Sequence, residues 1–124
     1  MLATESLFFV PKEDRTPELC MEAVKKDWRE LSYVPSKLIT PKLIGIAFKQ
    51  DPGAIANIPE ELLTEEMCTD AVKRSGLTLM LIPREKRTYE MCLIAVKNDK
   101  RVILSVPEKF ITPELMKAAE HEMI

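Results

Sequence analysis

Two patterns of apolar and polar positions follow one another along the chain. In the first, residues 16–27 (TPELCMEAVKKD), Leu19, Cys20, Ala23 and Val24 have the i, i+1, i+4, i+5 spacing of a buried helical stripe. Thr16 stands before a proline, which favours a helix start because the hydroxyl can cap a free N–H and proline suits the first turn. The pattern predicts a helix of about ten residues. Four further segments share it: TPKLIGIAFKQD, TEEMCTDAVKRS, TYEMCLIAVKND and TPELMKAAEHEM.

The second pattern is a pair of apolar residues three positions apart, followed by proline. The pairs are Leu7/Val10, Leu31/Val34, Ile55/Ile58, Leu79/Ile82 and Ile103/Val106. A three-residue step favours a short α or 3₁₀ turn laid against the main helix, which the proline then ends. A strand is the alternative, because Leu77, Leu79 and Leu81 alternate and a residue before proline prefers an extended backbone. That alternative would give a leucine-rich horseshoe.

The two patterns recur together every 24 residues. The recurring threonines are Thr16, Thr40, Thr64, Thr88 and Thr112; the prolines are Pro11, Pro35, Pro59, Pro83 and Pro107; the alanines are Ala23, Ala47, Ala71, Ala95 and Ala119. A joint period of this length is typical of stacked repeats. We therefore expect an all-α fold, a short α-solenoid of 24-residue units, each with one helix and one short α/3₁₀ turn. Residues 1–124 would form a single helical-repeat domain, with four full units and a partial unit at each end.

The composition and the N-terminal sequence indicate which partners and which cellular location to expect. The 18 basic and 20 acidic side chains of the 124 residues give a net charge of −2, and both signs are mixed along the chain. A nucleic-acid or membrane partner is therefore not expected. The N-terminal sequence MLATESLFFVPKED lacks the basic region and the cleavage site of a signal peptide. We expect a cytoplasmic protein, and delivery by a specialised secretion route is the alternative.

The three cysteines share one position of the repeat. Cys20, Cys68 and Cys92 stand where the other units have Ile44 and Met116, so the position is predicted to be an apolar pocket. Equivalent residues on packed helices lie about 10 Å apart, beyond the roughly 7 Å limit for a disulfide. We expect buried thiols and no metal site.

A row of lysines has two interpretations. Lys25, Lys49, Lys73 and Lys97 recur at one position and could contact phosphates, which would make the chain a weak nucleic-acid binder. The same lysines stand at helix C-termini, and a matching acidic row stands at the N-termini: Glu18, Glu66, Glu90 and Glu114. Because each charge complements the helix dipole, the structural interpretation is favoured.

Catalytic motifs are missing from the sequence. There is no Gly-rich phosphate loop, nucleophile elbow or metal-ligand spacing, and the one histidine, His121, has no second histidine to join it. We expect no enzyme activity, no cofactor and no small-molecule ligand.

Two aromatic residues are the predicted binding residues. Trp28 has Pro52, Gly76 and Lys100 as its repeat counterparts, and Tyr33 shares its position with Phe9, Asn57, Leu81 and Ser105. Positions that accept Lys, Asn or Ser are expected near solvent, where large aromatic side chains make contact anchors. The alternative for Trp28 is that it covers the turn locally.

The block TPELCMEAVKKD…LSYVP, with its near-copies over residues 7–119, resembles short helical repeats of bacterial and phage-like proteins. Those repeats follow T-P-E-L-C-x-x-A-V-K-x-x-G-x-x-L-x-x-V-P and are known mainly as a domain of unknown function. The resemblance implies a helical repeat fold and an interaction role, with no catalytic residue. The pattern has Gly at the position of residues 28, 52, 76 and 100. In this chain only Gly76 is a glycine there, and the other residues are Trp28, Pro52 and Lys100.

These expectations combine into a functional prediction. The chain is expected to be a non-catalytic protein-interaction module that presents a repeat surface to a protein partner, for example as an inhibitor or effector. A structural homo-oligomer joined through the repeat ends is one alternative, and the nucleic-acid binder is another.

Overall fold

A computed structural model describes residues 6–122, with side chains through residue 120. Within these residues the secondary structure is entirely helical. The α-helices are α1 (Pro17–Lys26), α2 (Pro41–Gln50), α3 (Glu65–Arg74), α4 (Tyr89–Asn98) and α5 (Pro113–Glu122). Each has ten residues. The predicted all-α class is confirmed, and the strand alternative is wrong for residues 6–122.

The second half of each unit is a 3₁₀ helix. These helices are η1 (Leu7–Phe9), η2 (Trp28–Tyr33), η3 (Pro52–Asn57), η4 (Gly76–Leu81) and η5 (Lys100–Ser105). Each ends two residues before a proline, and a three-residue 3₁₀ turn then leads towards the next α-helix. The predicted apolar pairs are buried, except that Ile103 is half-buried.

The recurring threonines cap the α-helices as the sequence predicts. In every case the Thr Oγ1 accepts a hydrogen bond from the backbone N–H three residues later. The capped residues are Leu19 (3.2 Å), Leu43 (3.2 Å), Met67 (3.1 Å), Met91 (3.1 Å) and Leu115 (3.2 Å). Each hydroxyl satisfies one of the backbone donors that a helix leaves free at its first turn.

Aspartates begin three of the 3₁₀ helices. The Oδ1 atoms of Asp27, Asp51 and Asp99 accept hydrogen bonds from the N–H groups of Arg29 (3.0 Å), Gly53 (2.7 Å) and Arg101 (3.0 Å). The backbone of these aspartates is extended, with φ between −155° and −160°. They therefore end one helix and cap the next.

The chain divides into two compact units, one ending at Leu62 and the other beginning at Leu63. In the first unit, α1 packs on α2, and η2 lies against both helices and against η1 and η3. In the second, α3, α4 and α5 pack in succession, η4 lies against α3 and α4, and η5 lies against α4, α5 and η4. Within each unit, a 3₁₀ helix thus packs between its own α-helix and the following one. That the whole chain is one domain stays a prediction.

Candidate interaction surface

Large apolar side chains are exposed at few positions of the repeat. Phe8, Met80 and Leu104 share one position, and Phe9, Tyr33 and Leu81 share the next. These positions are the last two residues of each 3₁₀ helix, and the buried Val or Ile that precedes proline follows them. Most of the exposed large apolar side chains therefore lie at two adjacent positions of the 24-residue repeat.

The aromatic cluster, which comprises Phe8, Phe9 and Tyr33, is the exposed patch of the first unit. The rings of Phe8 and Phe9 meet edge to face, with centroids 5.2 Å apart. The ring of Tyr33 is tilted against Phe8, with centroids 5.5 Å apart. The side chains are 60% (Phe8), 72% (Phe9) and 36% (Tyr33) exposed, so much of their aromatic area faces solvent although the rings contact one another.

Hydrogen bonds hold the backbone beneath the aromatic cluster. The guanidinium of Arg15 donates from Nε to the carbonyl of Val10 and from Nη1 to the carbonyl of Tyr33, both at 2.7 Å. The Oε1 atom of Glu30 accepts the N–H of Leu7 at 2.7 Å. Each bond involves a charged side chain, and such bonds are stronger than neutral ones. They join η1 to η2, so the aromatic side chains project from a fixed backbone.

The second unit repeats this arrangement at Arg87. Its Nε donates to the carbonyl of Ile82 (2.9 Å), its Nη1 to that of Ser105 (2.6 Å) and its Nη2 to that of Met80 (3.3 Å). Burial lowers the pKa of Arg87 from its ordinary value, and the neighbouring charge of Arg84 adds to the effect. At the repeat positions of the aromatic cluster, the exposed large side chains of the second unit are Met80, Leu81 and Leu104, none of which is aromatic.

Tyr33 and Trp28 lie in different surroundings. Tyr33 belongs to the aromatic cluster, in agreement with its predicted exposure. Trp28 is half-buried and lies against the following 24-residue segment, since a Cβ placed on Gly53 would be 3.4 Å from the indole. The backbone N–H of Trp28 donates to Oε1 of Gln50 at 2.8 Å, and the guanidinium carbon of Arg29 lies 5.9 Å from the ring centroid. The contact with Gly53 favours a covering role for Trp28, but the turn that it covers belongs to the following segment and not to its own.

Phe8 and Phe9 were not among the predicted binding residues. A signal for Phe9 was present, because Phe9 shares its repeat position with Tyr33 and with the polar Asn57 and Ser105. Phe8 shares its position with Ser32, which indicates a solvent-facing site in the same way. Their adjacency to Tyr33, however, depends on the packing of η1 on η2.

The three cysteines are buried free thiols, as predicted. Burial raises the pKa of Cys20, Cys68 and Cys92 above the ordinary thiol value. The nearby charges of Arg15, Lys86 and Arg87 oppose this effect only in part. The thiols are therefore protonated near neutral pH, the form that reacts slowly.

The lysines of the row lie exposed at the ends of their α-helices. Lys25 is in the last turn of α1, and Lys49, Lys73 and Lys97 hold the same place in α2, α3 and α4. This placement agrees with the helix-dipole interpretation. Phosphate binding by the row stays a prediction.

Two aspartates have pKa values below the ordinary value. Hydrogen bonds from the side chain and the backbone N–H of Arg101 lower the pKa of Asp99 to about 2, and the backbone N–H of Arg29 lowers that of Asp27. Among the described side chains, those of residues 6–120, no group of three His, Cys, Asp or Glu is placed to hold a metal ion. The side chain of His121 lies outside the described residues.

None of the described helices is both long and apolar enough to cross a membrane.

Comparison with known proteins gives no match to a family model, to a curated protein or to a solved structure. The resemblance to the short helical repeats therefore stays a prediction.

Proposed function

We propose that the chain is a non-catalytic protein-interaction module that presents the aromatic cluster to a protein partner. The observation that carries the proposal is the exposure of Phe8, Phe9 and Tyr33 in mutual contact. Exposed aromatic groups in water carry a free-energy cost that burial against a partner would recover. Aromatic side chains are also enriched among the residues that dominate protein interfaces.

The fixed backbone beneath the cluster supports the same function. Arg15 joins the carbonyls of Val10 and Tyr33, so the rings are positioned before any partner arrives. A pre-ordered surface loses less conformational entropy on association than a mobile one, and this raises affinity for the same buried area. An inhibitor or effector that acts by occlusion would use such a surface.

The architecture that we propose for the module is a repeat stack in one domain. Support comes from the order of elements, an α-helix, a 3₁₀ helix and a short 3₁₀ turn, which recurs along the chain from Thr16 onward. Each α-helix in this series has the same threonine cap. In a stack of this kind a unit can vary its exposed side chains without changing its frame. The proposal retains the relationship to short helical repeats of bacterial and phage-like proteins and the cytoplasmic setting expected from the sequence.

Comparative capture from the native host tests the function. The bait proteins are the wild-type chain, the double variant Phe9→Ala/Tyr33→Ala and the control Leu81→Ala. Leu81 stands at the same repeat position and is exposed, but it lies in the second unit. A protein that both the wild type and the control retain, and that the double variant loses, supports the proposal. Equal retention by all three baits would contradict it.

A further inference from the structure

A cavity of about 240 Å³ lies in the second unit, between the start of α3 and the 3₁₀ turn Arg84–Lys86. Its lining combines two buried and largely apolar side chains, Leu63 and Cys68, with polar side chains that are exposed or half-buried. The polar residues are Thr64, Glu65, Glu85, Lys86 and Thr88. An apolar cavity of about 150 Å³ is large enough to bind benzene, so this cavity has room for one aromatic ring with a small polar group.

The corresponding place one repeat later is occupied by two aromatic rings. Tyr89 stands at the repeat position of Glu65, and Phe110 stands at that of Lys86. The two rings meet edge to face, with centroids 5.9 Å apart. Where this repeat has a ring pair, the preceding one therefore has a carboxylate, an ammonium group and a cavity.

The charged groups that line the cavity have both signs. Lys86 supplies an ammonium group, and Glu65 and Glu85 supply carboxylates. Burial raises the pKa of Cys68, the ammonium group of Lys86 lowers it, and the carboxylate of Glu65 raises it further. Both charges therefore act close to the apolar floor of the cavity. A ligand that complements this lining carries an aromatic ring, an ammonium group and a carboxylate.

We propose that this cavity binds a free aromatic α-amino acid. The ring of the ligand contacts Leu63 and Cys68, its carboxylate accepts a hydrogen bond from Lys86, and its ammonium group donates to the carboxylates of Glu65 and Glu85. No small-molecule ligand was expected from the sequence, since the cavity depends on which residues of successive repeats pack together. The site shares no residue with the aromatic cluster, so it is independent of the proposed protein interaction.

A titration followed by heteronuclear NMR tests this proposal with the intact chain. The probes are L-phenylalanine, phenethylamine, which lacks the carboxylate, and phenylpropionate, which lacks the ammonium group. We expect L-phenylalanine to shift the amide signals of Cys68 and Thr88 with a Kd of about 1 mM or lower. Each control probe should bind about tenfold more weakly, because it loses one charged contact. The lack of a saturating shift up to about 10 mM L-phenylalanine, or equal binding of either control probe, would overturn the proposal.

Three variants locate the binding site within the chain. Lys86→Met removes the ammonium group and should raise the Kd for L-phenylalanine about tenfold. Arg84→Met is the matched control, since Arg84 lies in the same turn but outside the lining, and it should leave the Kd unchanged. Glu65→Tyr/Lys86→Phe places the ring pair of the next repeat in the cavity and should abolish binding. Unchanged affinity in Lys86→Met, or in the ring-pair variant with its melting temperature retained, would contradict the proposal.

Discussion

The ring centroids of Phe8 and Tyr33 lie 5.5 Å apart, although the two residues belong to consecutive 24-residue segments. The contact exists because η1 packs on η2, and Arg15 joins the two segments by donating to the carbonyls of Val10 and Tyr33. The main exposed aromatic surface of the described chain is thus made by two repeats together.

Trp28 and Phe9 should respond differently to replacement by alanine. Trp28 is half-buried against the Gly53 turn, so Trp28→Ala should lower the free energy of unfolding by about 1–3 kcal/mol, less than the 3–5 kcal/mol typical of a fully buried aromatic residue. Phe9 is 72% exposed, and Phe9→Ala should stay within about 0.5 kcal/mol. Thermal melts measure both changes, and equal destabilisation would contradict the assignment.

Removal of the Arg87 side chain should destabilise the second unit. Arg87→Ala leaves the carbonyls of Ile82 and Ser105 without their donor, and we expect a loss of about 1–3 kcal/mol in the free energy of unfolding. Arg84→Ala is the control, since Arg84 is exposed and should stay within about 0.5 kcal/mol. Urea denaturation of the two variants decides the question, and an unchanged midpoint for Arg87→Ala would refute the structural role.

The cysteines should react slowly in the folded protein. Burial excludes the reagent from Cys20, Cys68 and Cys92 and raises their pKa, so the reactive thiolate is scarce at neutral pH. We expect all three to be labelled by a maleimide only when denaturant is added. Rapid labelling of any thiol in the native protein would show that its pocket is open.

Asp99 should titrate far below an ordinary carboxyl group. Its pKa is lowered to about 2 by hydrogen bonds from Arg101, so its contribution to stability is complete above the unfolded value of about 3.9 and is lost as the pH falls through 2. Arg101→Ala should return the pKa towards about 3.9, while the Asp27 pKa stays unchanged. Carbon-detected NMR titration provides the measurement, and a normal Asp99 pKa in the wild type would contradict the capping geometry.

Local features of the fold could be predicted because each is encoded within a few residues. The Thr caps, the α-helices that follow them and the buried Cys position depend on side chains at fixed short spacings. The helical form of the second half could also be preferred over strand, since its apolar pair has a three-residue step.

Contacts between successive repeats were not predictable from one sequence. Arg15 and Arg87 stand where other units have Ile39, Leu63 and Ile111, so nothing in the pattern indicates that they bind backbone carbonyls. The site residue Trp28 was chosen from size and repeat position, whereas its burial depends on the small Gly53 beside it. Such details depend on packing between residues that lie far apart in the sequence.

A binding titration tests the central claim most directly. Once a captured partner has been purified, its Kd is measured for the wild type, for Phe9→Ala/Tyr33→Ala and for Leu81→Ala. The account predicts a Kd at least about 30-fold higher for the double variant, corresponding to a hot-spot loss of about 2 kcal/mol, and no change for Leu81→Ala. A double variant that binds as tightly as the wild type and melts at the same temperature would contradict the assignment of the aromatic cluster as the interaction surface.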